Sequence, residues 1–260
     1  MEGMRPSLGL RSLMREGRVL NELLAFRRGR TVPARTAQPR AVLMIPGFLA
    51  GDLSLYPLAD RLRSEGHNVF FAGIWSNITC SRRQIERLGS VLRETAREAN
   101  DKVIVIGHSL GGIYARALAR QFSELVAHTF ILGSPIKAPL ANSNPLVKML
   151  FIATRRRHSD GTTCLGQLST LCGVHLPDPP KVPATLIYSK RDNVVHWPAC
   201  IESAPHIEAV EVQSTHCGIP YNLDTLKIIS DRIRRIGRTM DDEAGSADDR
   251  VYAAAPSQGH

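Results

Sequence analysis

The sequence predicts an α/β protein, a single domain on a doubly wound, mostly parallel sheet of about six strands with helices on both faces and one inserted segment. Two observations carry this. Short apolar runs bounded by turn residues recur at Arg40 to Ile45, Asn68 to Ala72, Lys102 to Ile106, His128 to Leu132 and Ala184 to Tyr188, with a more alternating run at Ile207 to Val212. Between them lie stretches of helical period, notably Ile85, Leu88, Val91, Leu92, Ala96 and Ala99 on one face, with Arg and Glu on the other. Strands that alternate with helices are joined by crossovers, which make neighbouring strands parallel and cover both faces of the sheet. A chain of 260 residues is long enough to bury one such core.

The elements follow in order. Residues 1–39 read as a basic arm in which Leu8 to Phe26 forms an amphipathic helix or pair of helices, with Leu10, Leu13, Met14, Leu20 and Leu24 opposite Arg11, Arg15 and Arg18. Such a helix can lie on an anionic membrane surface or dock on its own domain; docking or partial disorder is the expectation, with peripheral membrane contact as the alternative. Residues 40–238 form the domain. Its first strand ends at Pro46-Gly47, and a helix is expected over Leu53 to Ser64. From about 134 to 183 the alternation is interrupted by an insertion carrying Pro139, Leu146, Met149, Leu150, Phe151, Ile152 and Leu165. A last helix puts Leu226, Ile229, Ile233 and Ile236 on one face. Residues 239–260, rich in Ala, Asp, Gly and Ser without periodicity, are expected to be disordered.

Composition narrows the function classes. The formal net charge is +9, but Arg is scattered through the arm and the Arg155-Arg156-Arg157 run and forms no single stripe, and no aromatic platform or recognition helix accompanies it. Nucleic acid is therefore not an expected partner. The five cysteines form no CxxC pair and the nine histidines no HExxH, so no metal site is expected. With no long apolar run and no secretory signal at the start, the expected location is cytoplasmic, possibly peripheral to a membrane.

Chemistry enters at Gly107-His108-Ser109-Leu110-Gly111-Gly112, which follows the strand ending at Ile106 and opens the helical run Ile113 to Phe122. On so sharp a strand-to-helix turn a Cβ at Gly107 or Gly111 would clash, and the turn presents the Ser109 hydroxyl at the carboxyl edge of the sheet. The Leu110 backbone N–H and the positive helix end then point where an oxyanion would form. A serine hydroxyl needs a base to take its proton and a group to orient that base. Asp192 follows the strand Ala184 to Tyr188, and His216 lies in the loop between Val212 and the last helix. Asp160 and Asp178, with no strand before them, read as loop surface.

Ile45-Pro46-Gly47-Phe48, the Gly107 to Gly112 turn, Asp192 after its strand and His216 with Gly218 together resemble the bacterial lipase and esterase branch of the α/β-hydrolases over roughly Arg40 to Arg238. The resemblance implies the chain order nucleophile, acid, base: Ser109, Asp192, His216. His196 is too close to Asp192 in sequence, His206 precedes the last strand, and His108 is implied to be a structural neighbour of the nucleophile. It further implies an oxyanion hole of the Phe48 and Leu110 backbone N–H groups, and a cap formed by the insertion, whose apolar residues would line an acyl pocket. Two departures stand out: Pro46-Gly47 replaces the His-Gly of many lipases, and nothing before Arg40 reads as the family's first two strands.

The expected activity is hydrolysis of carboxylic esters, particularly lipid or acyl esters, through an acyl-enzyme and without a cofactor. An acyltransferase or thioesterase would use the same triad, and a non-catalytic lipid-binding protein could keep the fold. Sequence does not settle the oligomeric state. Cys217 beside His216 and Cys200 beyond the Asp192 loop could form a disulfide, but reduced thiols are expected in a cytoplasmic protein.

Overall fold

The computed structural model describes residues 17–29, 35–137, 139, 141–154 and 178–236. Six strands, β1 (Ala41–Ile45), β2 (Asn68–Phe71), β3 (Val103–His108), β4 (Val126–Leu132), β5 (Ala184–Tyr188) and β6 (Ile207–Glu211), form one sheet in the order β2-β1-β3-β4-β5-β6. Every neighbouring pair is parallel. Each apolar run of the sequence is a strand; β4 begins two residues before its run, where Val126 pairs with Val103.

Strand periodicity divides the core into two layers. On one face Leu43, Ile45, Val103 and Val105 pack against Leu88 and Leu92 of α3 (Ser81–Ala99) and Ile113 and Leu118 of α4 (Leu110–Gln121). On the other, Val42, Met44, Ile104 and Ile106 meet Leu58 and Leu62 of α2 (Tyr56–Ser64) and Ile229 and Ile233 of the last helix, α6 (223–236). Every residue of β1 and β3 is buried, which is why both read as continuous apolar runs. β6 is an edge strand, and none of its residues is buried.

The helix expected at Leu53 to Ser64 is divided. A 3-10 turn at Asp52–Leu55 leads into α2, which carries Pro57 in its first turn, where the missing N–H costs no helical bond.

The described part of the arm holds one helix, α1 (Val19–Arg28), docked on the domain. The face it docks with differs from the expected one. Leu20 and Leu24 are 66% and 49% exposed, whereas Phe26 is buried at 2%. Phe26 meets Tyr221 edge-on, and the Arg61 guanidinium lies over its ring and donates to the carbonyls of Phe26 and Gly29 at 2.6 and 2.9 Å. One aromatic anchor and a cation that satisfies the helix's last carbonyls dock α1, without the leucine stripe.

Within the insertion, α5 (Pro145–Thr154) is described. Arg155 to Arg157, Leu165, Cys164 and Cys172 lie outside the described residues, as do the segments of the arm before residue 17 and of the tail after residue 236. Among the described residues no helix is long and apolar enough to cross a membrane.

Candidate active site

Strand order reverses between β1 and β3: the chain leaves β1 for β2 on one side, then returns past β1 to β3 on the other. Loops leaving the carboxyl ends of those two strands diverge and open a crevice, the usual ligand position in an open parallel sheet. Both sequence motifs lie at this point, Pro46-Gly47-Phe48 after β1 and Ser109 after β3.

Ser109 sits between β3 and α4 at φ 54°, ψ −118°. That region is disfavoured for a residue with a Cβ, costing about 1–3 kcal/mol, and persists only when the surroundings enforce it. Here the Ser109 N–H donates to the Leu132 carbonyl at 2.8 Å, and its own carbonyl accepts from the Gly112 N–H at 3.0 Å. A Cβ on Gly107 would overlap the Gly111 carbonyl, and one on Gly111 would overlap that of Ile45. The glycines thus let β3, α4 and β1 close around the serine.

The loop after β1 is held by Asn77, which sequence reading missed. This buried side chain donates from Nδ2 to the Pro46 carbonyl at 2.8 Å, while its backbone exchanges bonds with Leu49 and Ala50. Leu49 takes φ 62°. The Phe48 N–H donates to no group among the described residues, and Phe48 lines the same cavity as Ser109 and Leu110.

Asp192 and His216 come from different loops and meet: Asp192 Oδ2 lies 2.6 Å from His216 Nδ1, with the two side chains 1% and 5% exposed. The other carboxylate oxygen, Oδ1, accepts from the Val194 and Val195 N–H groups at 2.8 and 2.7 Å. A carboxylate with both oxygens bonded is rigid and holds the facing ring nitrogen in one tautomer. The two loops are also stapled directly, because Ser189 Oγ donates to the Ser214 carbonyl at 2.6 Å. Gly133, at φ 56°, passes below the pair; a Cβ there would stand 3.4 Å from His216 Nδ1 and 3.5 Å from Asp192 Oδ2.

His108 links the Ser109 turn to His216. Burial first, and the neighbouring His216 second, hold its pKa down at about 3, so it is neutral. Its Nε2 lies 3.0 Å from the His216 carbonyl oxygen. Since a carbonyl only accepts, Nε2 carries the proton and donates it. His108, next to Ser109 in the chain, thus supports the loop that carries His216. The other two histidines do not approach Asp192 through any hydrogen bond, and His206 Nε2 instead bonds the Pro180 carbonyl.

Above Ser109 is a cavity with about 430 Å³ of empty space, part of it open to solvent. Its walls are mostly apolar, with Phe48, Ile113, Pro139, Val147, Phe151 and Val194, and Ser143 and Lys148 also line it. Phe48 and Phe151 have ring centroids 5.1 Å apart, joining the β1 loop to α5. Of the apolar residues expected to line it, Pro139 and Phe151 do, whereas Met149, Leu150 and Ile152 lie on the exposed face of α5. A short surface helix turns only one face inwards, and the outward face of α5 is apolar as well. No disulfide joins Cys200 to Cys217: Cys200 is a buried thiol with its pKa raised by that burial, and Cys217 is exposed. Among the described residues no His, Cys, Asp and Glu cluster could hold a metal ion.

Residues 78–165 match the model of the PGAP1-like alpha/beta domain, a segment that includes the Ser109 turn. No curated protein matches the chain in sequence. Solved structures do. A metagenome-derived lipolytic enzyme of the LipS and LipT pair superimposes with a TM-score of 0.55 at 16% identity, over 79% of this chain and 96% of that one. The Bacillus licheniformis lipase BlEst2 gives 0.57 at 14% identity, over 78% and 95%. A pyrethroid hydrolase from Sphingobium faniae gives 0.51 at 16% identity, over 76% and 97%. With its six parallel strands in this order and helices on both faces, the chain has the α/β-hydrolase fold that these lipases and hydrolases share.

Proposed function

We propose that the chain is a carboxylic ester hydrolase working through Ser109, His216 and Asp192. The observation that carries this reading is the buried 2.6 Å contact of Asp192 with His216 beside an apolar cavity lined by a strained Ser109. Strain, burial and fixed carboxylate bonds are costs that a purely structural turn would not carry. The lipolytic and hydrolytic activities named for the structural neighbours agree with it.

With Nδ1 engaged by Asp192, the other ring nitrogen of His216, Nε2, takes the Ser109 proton as Oγ attacks the ester carbonyl. The tetrahedral oxyanion is held by the Phe48 and Leu110 backbone N–H groups; the first has no competing partner among the described residues, and the second begins α4 at its positive end. His216 passes the proton to the leaving alcohol. It then deprotonates water, which attacks the acyl-enzyme and frees Ser109. Asp192 keeps the imidazole in its tautomer and stabilises the imidazolium. The acyl group occupies the cavity under α5, which makes the insertion a cap, and its apolar walls favour hydrocarbon acyl chains.

Hydrolysis of a chain-length series of p-nitrophenyl esters by wild type and Ser109→Ala tests this. Turnover by wild type that falls about 10³-fold or more in the variant is expected. Equal rates in the two, or none in folded wild type, would contradict it.

A further inference from the structure

We infer that Glu22, on α1 outside the hydrolase domain proper, is a positioning residue for His216, so that the site is completed by the N-terminal arm. The inference rests on the reading of His216 as the base. Glu22 Oε1 accepts the Thr215 N–H at 3.0 Å and the Ser214 hydroxyl at 3.3 Å, and Oε2 accepts the Thr215 hydroxyl at 2.7 Å. Thr215 Oγ1 in turn accepts the Gly218 N–H at 3.1 Å, so its proton is committed to Glu22. One carboxylate therefore holds the two residues immediately before His216 and, through Thr215, the second residue after it. Three donors converge on it, and the two carboxylate oxygens have lone pairs to accept all three.

Two further observations show that the contact is built into the chain. A Cβ on Gly218 would overlap Oε2 of Glu22, so this glycine leaves the room the carboxylate occupies. The helix that carries Glu22 is anchored separately, by the buried Phe26 ring and by Arg61 on its last carbonyls. The loop is thus gripped from three directions: Glu22 from the arm, Ser189 from the acid loop through the Ser214 carbonyl, and His108 from the nucleophile turn through the His216 carbonyl. Of these, only Glu22 lies outside the strand-loop framework of the fold. A base loop released on that side keeps its fold but widens the range of imidazole positions, and small misplacements of a base are costly in rate.

Glu22→Gln and Glu22→Ala, in the full chain, are assayed on p-nitrophenyl acetate beside wild type and Thr215→Val, with active-site concentration set by labelling with a fluorophosphonate. About a tenfold or greater drop in kcat with KM unchanged is expected for Glu22→Ala, with a comparable loss in Thr215→Val and no further loss in the double variant. The low-pH limb of the kcat profile, which reports the base, should shift in both single variants. Glu22→Gln keeps the shape but aims donors at donors, so it should fall with Glu22→Ala; it also serves if the alanine variant does not fold. Wild-type kcat and pH profile in a folded Glu22 variant, or a lowered melting temperature with kcat per labelled site intact, would overturn the inference while leaving the hydrolase reading in place. Absence of turnover and labelling in wild type would instead sink that reading.

Discussion

At the scale of single residues, the site depends on groups that are expensive to place. Asp192 is held by two backbone N–H groups and by His216, all within 2.8 Å, in a side chain 1% exposed. Asp192→Asn keeps that shape but puts an amide where an acceptor is required, which favours the wrong imidazole tautomer. The expected result is a fall in kcat of about 10³–10⁴-fold with the fold intact by circular dichroism, measured on a short p-nitrophenyl ester. The placement of Ser109 on a sharp turn, and of Asp192 and His216 in loops after strands, was legible in the sequence because each sits beside a local signal: a glycine-rich turn, or the end of an apolar run. Asn77 and Glu22 were not. Their partners are 31 residues away in one case and up to 193 in the other, and nothing in the local sequence marks a carboxylate or amide for so distant a loop.

Among the elements, strands and the long helix α3 read directly from the sequence, because burial on both sheet faces or along one helix stripe leaves a periodic record. The arm did not, since its docking depends on Phe26 and Glu22, while the leucines that suggested an apolar face point to solvent. An ion pair ties α4 to the loop before β6: Arg116 faces Glu202 through two bonds of 2.8 and 3.1 Å, with side chains 2% and 13% exposed. Glu202→Ala leaves a guanidinium buried with no counter-charge, and such deletions cost about 3–5 kcal/mol. Urea denaturation should show a loss of that order. A change below about 1 kcal/mol would mean that the loop rearranges to admit water.

For the molecule as a whole, stability should depend on pH through three buried histidines. Burial is the main cause that lowers His67 to about 4, and His108 and His128 to about 3, from an ordinary 6.5. Because these folded-state values are depressed, the unfolded chain binds protons that the folded chain does not. Their contribution is complete above pH 6.5 and is lost as pH falls towards 4 for His67 and 3 for the other two. Each group adds a slope approaching about 1.4 kcal/mol per pH unit inside its window. Urea midpoints should therefore drop steeply between pH 6 and 4. His128→Gln, which can still bond Thr185, should make that slope shallower by about one group. The topology that brings the two motif loops together at the β1/β3 reversal belongs to this scale as well. Sequence order alone predicted parallel strands, but not which strands would be neighbours.

The most direct test of the central claim is intact-protein mass spectrometry after exposure to a fluorophosphonate, which transfers its phosphonyl group to an activated serine and releases fluoride. One adduct is expected on wild type, mapped to Ser109, absent from Ser109→Ala and strongly slowed in His216→Ala. Labelling that persists in Ser109→Ala, or that proceeds at the wild-type rate without His216, would contradict that claim.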